Sequence, residues 1–261
     1  MRKLLNPIVL GTGVWLAAAA YPAAQTDFEW TGQLAPGQTI EIIGVNGEIH
    51  ASAARGGSIT VTALKTAGRS NASEVRFETV PHAGGVTVCA IYPSPAGQAA
   101  NQCQPGGRGR SDSKDNDTRV DFSVQVPAGI GLVARTVNGS INAEGLQGDA
   151  DGTTVNGSVN LSTTGSVRAT TVNGSINATM GRAVWPTGAK FTTVNGEVTL
   201  RLPVAVNADA RLSTVNGNIQ SEFPLAISTD PGPKHAEGVL GGGGQRLDVT
   251  TVNGGITLVR R

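Results

Sequence analysis

Cysteine, aromatic side chains and charge are all scarce in this chain. Its 261 residues include only 2 Cys, 2 Tyr, 3 Trp and 5 Phe, and charged residues make up 15 %, against about a quarter in ordinary domains. Lys+Arg number 20 and Asp+Glu 19, a net charge of +1. Without Arg2 and Lys3 the balance is 18 against 19, or −1. Such a chain offers no basic surface to a polyanion, which argues against nucleic acid as a partner. The 3 His (His50, His82, His235) and 2 Cys show no ligand spacing, so no metal centre and no cofactor is expected. No G-x-S-x-G elbow occurs, and Asp149, Asp151, Asp209 and Asp248 form no evident carboxylate pair, so no enzyme is expected. Asp27, Glu29, Trp30 and Trp185 are the residues that could help form a sugar site, but ordinary packing explains a Trp better.

Long hydrophobic runs are also absent. The longest, Ile8–Ala20, is broken by Gly11, Thr12 and Gly13, too short for a comfortable span, so the mature chain is expected to cross no membrane. With Arg2 and Lys3 before it and Ala18-Ala19-Ala20 at its end, residues 1–24 read as a secretory signal peptide cut before Tyr21 or after Ala24. No Cys follows to carry a lipid. The protein is therefore expected to be exported, to the periplasm or the cell surface. In that compartment Cys89 and Cys103 read as one disulfide. Closing a loop of that length stabilises by about 3 kcal/mol on chain-entropy grounds.

Glycine is abundant, at 36 residues, about double ordinary usage. It has no three-residue period, which excludes collagen, and the plentiful Val, Ile, Leu and Ala exclude disorder. The organising feature is the tripeptide Val-Asn-Gly. It occurs seven times, at Asn46-Gly47, Asn138-Gly139, Asn156-Gly157, Asn173-Gly174, Asn195-Gly196, Asn216-Gly217 and Asn253-Gly254. From Asn138 onward the spacings are 18, 17, 22, 21 and 37. A period near 20 is the signature of a stacked repeat.

After each Asn-Gly the sequence alternates as x-[Ile/Val]-x-apolar, as in Ser140-Ile141-Asn142-Ala143, which is a strand. Before each motif stands a second alternation: Leu132/Ala134, Val167/Ala169, Ala189/Phe191, Ala210/Leu212 and Leu247/Val249. These residues lie an odd distance from the motif Val, so the pattern slips by one residue, and the expected place is the Thr-Val step. That placement points the motif Val inward. It turns outward a row of Thr136, Thr154, Thr171, Thr193, Thr214 and Thr251, a possible binding face. The corner Gly is expected to supply a positive φ. Asn-Gly is also the strongest local hairpin signal, so two arrangements are open: serial hairpins, or one coil of a β-solenoid per repeat. The near-constant period favours the solenoid, whose Asn side chains could stack as a ladder.

The expected fold is all-β, a β-helix-like stack of short strands at about 17–22 residues per repeat. Residues 25–126 form a less regular β part, continuous with the repeats of 127–261. Its strand candidates are Thr39–Ile43, Ser58–Ala63, Val75–Val80, Val86–Ile91 and Val120–Val126. Residues 93–119 read as a loop tied by the cysteines. Asp112, Asp115 and Asp117 lie in it, but Arg108, Arg110, Lys114 and Arg119 interrupt any calcium-loop pattern. Residues 229–244 form a second break, taking the place of one coil.

The run Val120-Asp121-Phe122-Ser123-Val124-Gln125-Val126-Pro127-Ala128-Gly129, followed by Leu132 and serial Asn-Gly-x-[Ile/Val] corners, resembles the bacterial putative-adhesin family of β-strand repeats of unknown function. The resemblance spans Phe28 to Arg260. It implies a β-solenoid-like, exported or envelope-facing domain, in a family often found beside envelope-stress regulators. No catalytic residue attaches to the motif. The expected function is thus a non-enzymatic envelope protein, adhesin-like or structural, whose partner is an envelope glycan or another envelope protein. An envelope-stress scaffold is the alternative, and a β-helix polysaccharide enzyme is a more distant one. Oligomeric state is not readable.

Overall fold

The computed structural model describes residues 26–109, 116–183, 185, 187–228 and 232–261. The leader, its cleavage site, Asp112 and Asp115 lie outside the described residues. In chain order the strands are β1 (Phe28–Gly32), β2 (Thr39–Ile43), β3 (Ile49–Ala53), β4 (Ile59–Thr66), β5 (Arg76–His82), β6 (Gly85–Ile91) and β7 (Arg119–Val126). Then come β8 (Gly131–Arg135), β9 (Ile141–Leu146), β10 (Ala150–Thr153), β11 (Val159–Thr163), β12 (Val167–Thr170), β13 (Ile176–Met180), β14 (Ala189–Thr192) and β15 (Val198–Leu202). The last are β16 (Ala208–Asn216), β17 (Ile219–Ser221), β18 (Ala226–Ile227), β19 (Lys234–Leu240), β20 (Arg246–Asn253) and β21 (Ile256–Arg260).

Two sheets face each other across one core. The first runs β1-β4-β7-β3-β9-β11-β13-β15-β21-β17, and the second β18-β19-β16-β20-β14-β12-β10-β8-β2-β6-β5. Each Val-Asn-Gly joins a strand of the second sheet to one of the first, and neighbouring coils pair in parallel, as β11 does with β13 and β10 with β12. The repeats are therefore solenoid coils, not hairpins. Both alternations face inward: Leu132, Ala134, Val167, Ala169, Phe191 and Val249 from one sheet meet Ile141, Val159, Ile176, Val198 and Ile256 from the other, each at most 1 % exposed. β-Branched residues suit this pleated interface, and small Ala opposite Ile or Leu keeps the layers close.

The stacking order departs from the chain order at both ends. The coil of Asn253 (β20/β21) lies between the coils of Asn195 and Asn216. At the other end β6 and β7 form the outermost coil and β2/β3 the second. The spacing of 37 is the consequence: after β17 the chain forms β18 and β19, which close the second sheet antiparallel, and then returns into the open slot. Residues 229–244 thus do not stand in for a coil; within them β19 is a cap. β5, β4 and β1 similarly add antiparallel strands outside β6 and β7. Such caps blunt the edges of an otherwise open stack.

In the outermost coil no Asn-Gly joins β6 to β7. The connection is the long loop, anchored by the disulfide Cys89–Cys103. The buried Tyr92 hydroxyl donates to Thr118 O at 2.8 Å, with Asn46 O at 3.3 Å. Burial pushes its pKa up to about 12. Asp117 clamps the far side, its carboxylate accepting the Arg69 and Ser70 N–H groups.

Candidate functional site

The corner seam is the most regular surface of the molecule. Six Asn side chains each donate through Nδ2 to Oδ1 of the neighbouring coil's Asn, at 2.7–2.9 Å, from Asn46 to Asn216. Beside the ladder the structure reverses the expected faces. Thr136, Thr154, Thr171, Thr193, Thr214 and Thr251 are at most 5 % exposed. Each hydroxyl donates to the corner-glycine carbonyl of the adjoining coil, as Thr171 Oγ1 does to Gly157 O at 2.8 Å. The slip falls after the motif Val, across Asn-Gly, so the first alternation continues through Thr and the Val points out. The Thr row is therefore not a binding face. It supplies hydrogen bonds that the corner would otherwise lack, because no backbone N–H reaches Gly157 O among the described residues. Replacing Thr171 by the isosteric Val leaves that half-buried carbonyl unpaired and is expected to cost about 1–3 kcal/mol. Equilibrium denaturation would measure it, and an unchanged midpoint would contradict the assignment.

The corner glycines also differ from expectation. Only Gly47 (φ 126°) and Gly254 (φ 156°) have positive φ there. At Gly139, Gly157, Gly174, Gly196 and Gly217 the requirement is room: a Cβ on each would overlap the carbonyl of the adjoining coil's corner glycine.

What the seam exposes is valine. Val137, Val155, Val172 and Val215 are 36 %, 38 %, 37 % and 45 % exposed, and Val194 and Val252 are half-buried. They stand one per coil in a straight row beside the Asn ladder. Val45, at the corner that Tyr92 contacts, is buried.

The outer face of the second sheet holds a buried ion pair. Glu41 is 3 % exposed; its carboxylate accepts Arg135 Nε at 3.0 Å, Thr87 Oγ1 at 2.9 Å and the Gly106 N–H at 2.8 Å. The disulfide loop thus supplies one of the donors over this pair. Further along the face a cleft of about 180 Å³ is lined by Thr39, Val133, Asp149, Asp151, Ser166, Arg168 and Thr187, among others. Asp149 accepts the Ser166 N–H and pairs with Arg182, and Arg168 donates to Gly188 O and Thr187. The Asp151 carboxylate accepts no hydrogen bond among the described residues; burial raises its pKa against the pull of Arg135 and Arg168. Period-two spacing puts Asp149 and Asp151 on one face, a signal present in the sequence, although only parallel stacking brings Arg168 beside them. The other candidates stay apart. Trp30 lies on the end strand β1, Trp185 is buried with Nε1 bonded to Arg182 O, Asp248 pairs with Arg246, and the Asp27 carboxylate accepts the Lys65 N–H.

These features define a class: a two-sheeted β-solenoid of parallel coils joined by Asn-Gly corners. Within it, the chain belongs to the Toastrack DUF4097 family, whose model matches residues 112–259. No functionally curated protein matches the chain. Solved structures that resemble it include the following two. A putative cell adhesion protein from Clostridium sporogenes ATCC 15579 has 11 % identity, covering 90 % of this chain and 99 % of that one, with a TM-score of 0.45. A putative adhesin from Bacteroides fragilis NCTC 9343 has 11 % identity, 92 % and 99 % coverage and a TM-score of 0.28. Among the described residues no helix is long and apolar enough to cross a membrane.

Proposed function

We propose that this is a non-catalytic, exported protein of the cell envelope that binds along its corner ridge, with an envelope glycan or another envelope protein as partner. The observation that carries the reading is the outward valine row. Thr, Asn and Gly of the corner each meet a need of the stack, whereas a half-exposed Val repeated in every coil from Asn138 onward meets none. A straight apolar row edged by amides suits a contact surface. The disulfide supports an oxidising compartment. For the non-catalytic reading, Asp149 is already engaged by Arg182 and Ser166, so Asp151 has no second free carboxylate beside it in the cleft.

The test is co-sedimentation of labelled protein with envelope fractions and insoluble glycans. A Val155→Ser/Val172→Ser variant is expected to keep its stability within about 0.5 kcal/mol per site, as surface changes do, and to lose most binding. A folded variant that binds unchanged would remove the ridge from consideration. Failure to sediment with any fraction would overturn the adhesive reading itself.

A further inference from the structure

The mating rule of the stack can be read from six consecutive corner interfaces, and at one end of the molecule the same groups are left without a mate. In each interface the corner Gly N–H of one coil donates to the Asn carbonyl of the next, at 2.8–3.0 Å. The following Ile or Val N–H donates to the carbonyl two residues beyond that Asn, at 2.8–3.0 Å. The incoming Asn donates its Nδ2 to the waiting Oδ1. The incoming coil must also have Gly after Asn, because a Cβ there would meet the preceding glycine's carbonyl.

β17 ends the first sheet and, among the described residues, pairs only with β21. The other three sheet ends, β1, β5 and β18, are antiparallel strands outside the repeat pattern. β17 is a repeat strand with its outer side unoccupied: no backbone acceptor meets the Gly217 N–H among the described residues, and Ile219 pairs on one side only. Asn216 donates to Asn253, while its own Oδ1 receives no donor among the described residues. These groups border a polar groove of about 400 Å³ lined by Asn216, Gly217, Asn218 and Gln220 with the adjoining corner. Exposed strand edges of this kind accept extended peptides through main-chain hydrogen bonds.

We propose that this edge docks an extended segment of a partner polypeptide that carries Asn-Gly-x-[Ile/Val] and adds as a parallel strand, its Asn in register with Asn216. The six internal interfaces specify the occupant: Asn for the open Oδ1, Gly for clearance, and a β-branched residue to cover Ile219, which is 8 % exposed. A folded second copy has no such segment free, because all seven of its Asn-Gly corners are seated in its own stack. On the second sheet β19 covers β16, so the partner supplies one corner and one strand and no complete coil. This inference does not depend on the valine ridge.

The probe is a synthetic peptide with the sequence of residues 192–201. At millimolar concentration it is expected to slow amide hydrogen exchange at Gly217 and Ile219 by about tenfold or more, read by NMR on the full chain. The same peptide with its Gly replaced by Val is expected to have no effect. To keep a weak peptide from deciding the matter, the same segment is also fused after Arg261 through a Gly/Ser linker, which raises its effective concentration to the millimolar range. The fusion with Asn-Gly is expected to melt higher than the fusion with Asn-Val. Equal melting of the two fusions, or equal effects of the two peptides, would overturn the proposal. A protein that sediments as a dimer and becomes monomeric on Ile219→Pro would overturn it in favour of a second copy; a monomer in both forms supports it.

Discussion

Gly174→Val is expected to destabilise the protein by about 3 kcal/mol or more, above the common range for overpacking because the obstacle is backbone. The added Cβ would overlap the carbonyl of Gly157 and crowd Ser158 N in the adjoining coil. Neither atom can move freely: Gly157 O accepts the Thr171 hydroxyl, and the Gly157 N–H donates to Asn173 O at 3.0 Å. Relief would require the two coils to separate, which breaks the Asn156–Asn173 rung at 2.9 Å. At roughly 2–4 °C per kcal/mol for a domain of this size, the melting midpoint should fall by about 6–12 °C. Gly37→Val is a useful control. Gly37 has φ 88° but no atom within 4 Å of an added Cβ, so it isolates conformational strain, worth about 1–3 kcal/mol. A smaller loss at Gly174 than at Gly37 would show that clearance from the adjoining coil is not what the corner requires.

Arg135→Met should cost about 3 kcal/mol, the lower end for breaking a buried ion pair, since the Arg135 side chain keeps 32 % exposure. The reason is the partner left behind. The Glu41 side chain is 4 % exposed and would retain only the Thr87 hydroxyl and the Gly106 N–H as donors. The Gly106 bond comes from the loop tied by Cys89–Cys103, so loosening this site should also loosen the loop. The double variant Glu41→Leu/Arg135→Met removes both charges and is expected to recover most of the loss, since a buried pair is often worth little against apolar replacements. Chemical denaturation of the four proteins of that cycle provides the measurement. A double variant as unstable as the sum of the two single ones would show that Glu41 and Arg135 act independently.

Whatever repeats along the chain is legible in the sequence alone. Seven Asn-Gly corners and two alternations per repeat favour stacked coils over serial hairpins, because period two buries one face and a constant corner can mate with itself; that neighbouring coils pair in parallel is a finding of the structure. The strands Thr39–Ile43 and Val120–Val126 were legible for the same reason, and so was the Cys89–Cys103 bond, as the only pair available. The short β1 is not legible, having little apolar alternation beyond Phe28 and Trp30. Three matters were decided only by tertiary structure. Which of Thr and Val faces inward depends on the residue at which the alternation slips, and both sides of Val satisfy the same spacing; the unpaired corner carbonyl decides it, since only an inward Thr can reach it. Why the corner needs Gly is a question of distance to another coil, invisible along one strand. The seating of Asn253 between Asn195 and Asn216 depends on edges that are chemically alike in every coil, so local sequence cannot rank them. The antiparallel pairing of β19 with β16 covers the outer side of that coil in the second sheet and leaves only its inner side for β20. The likeness of edges that hides the stacking order also leaves β17 able to accept a further strand.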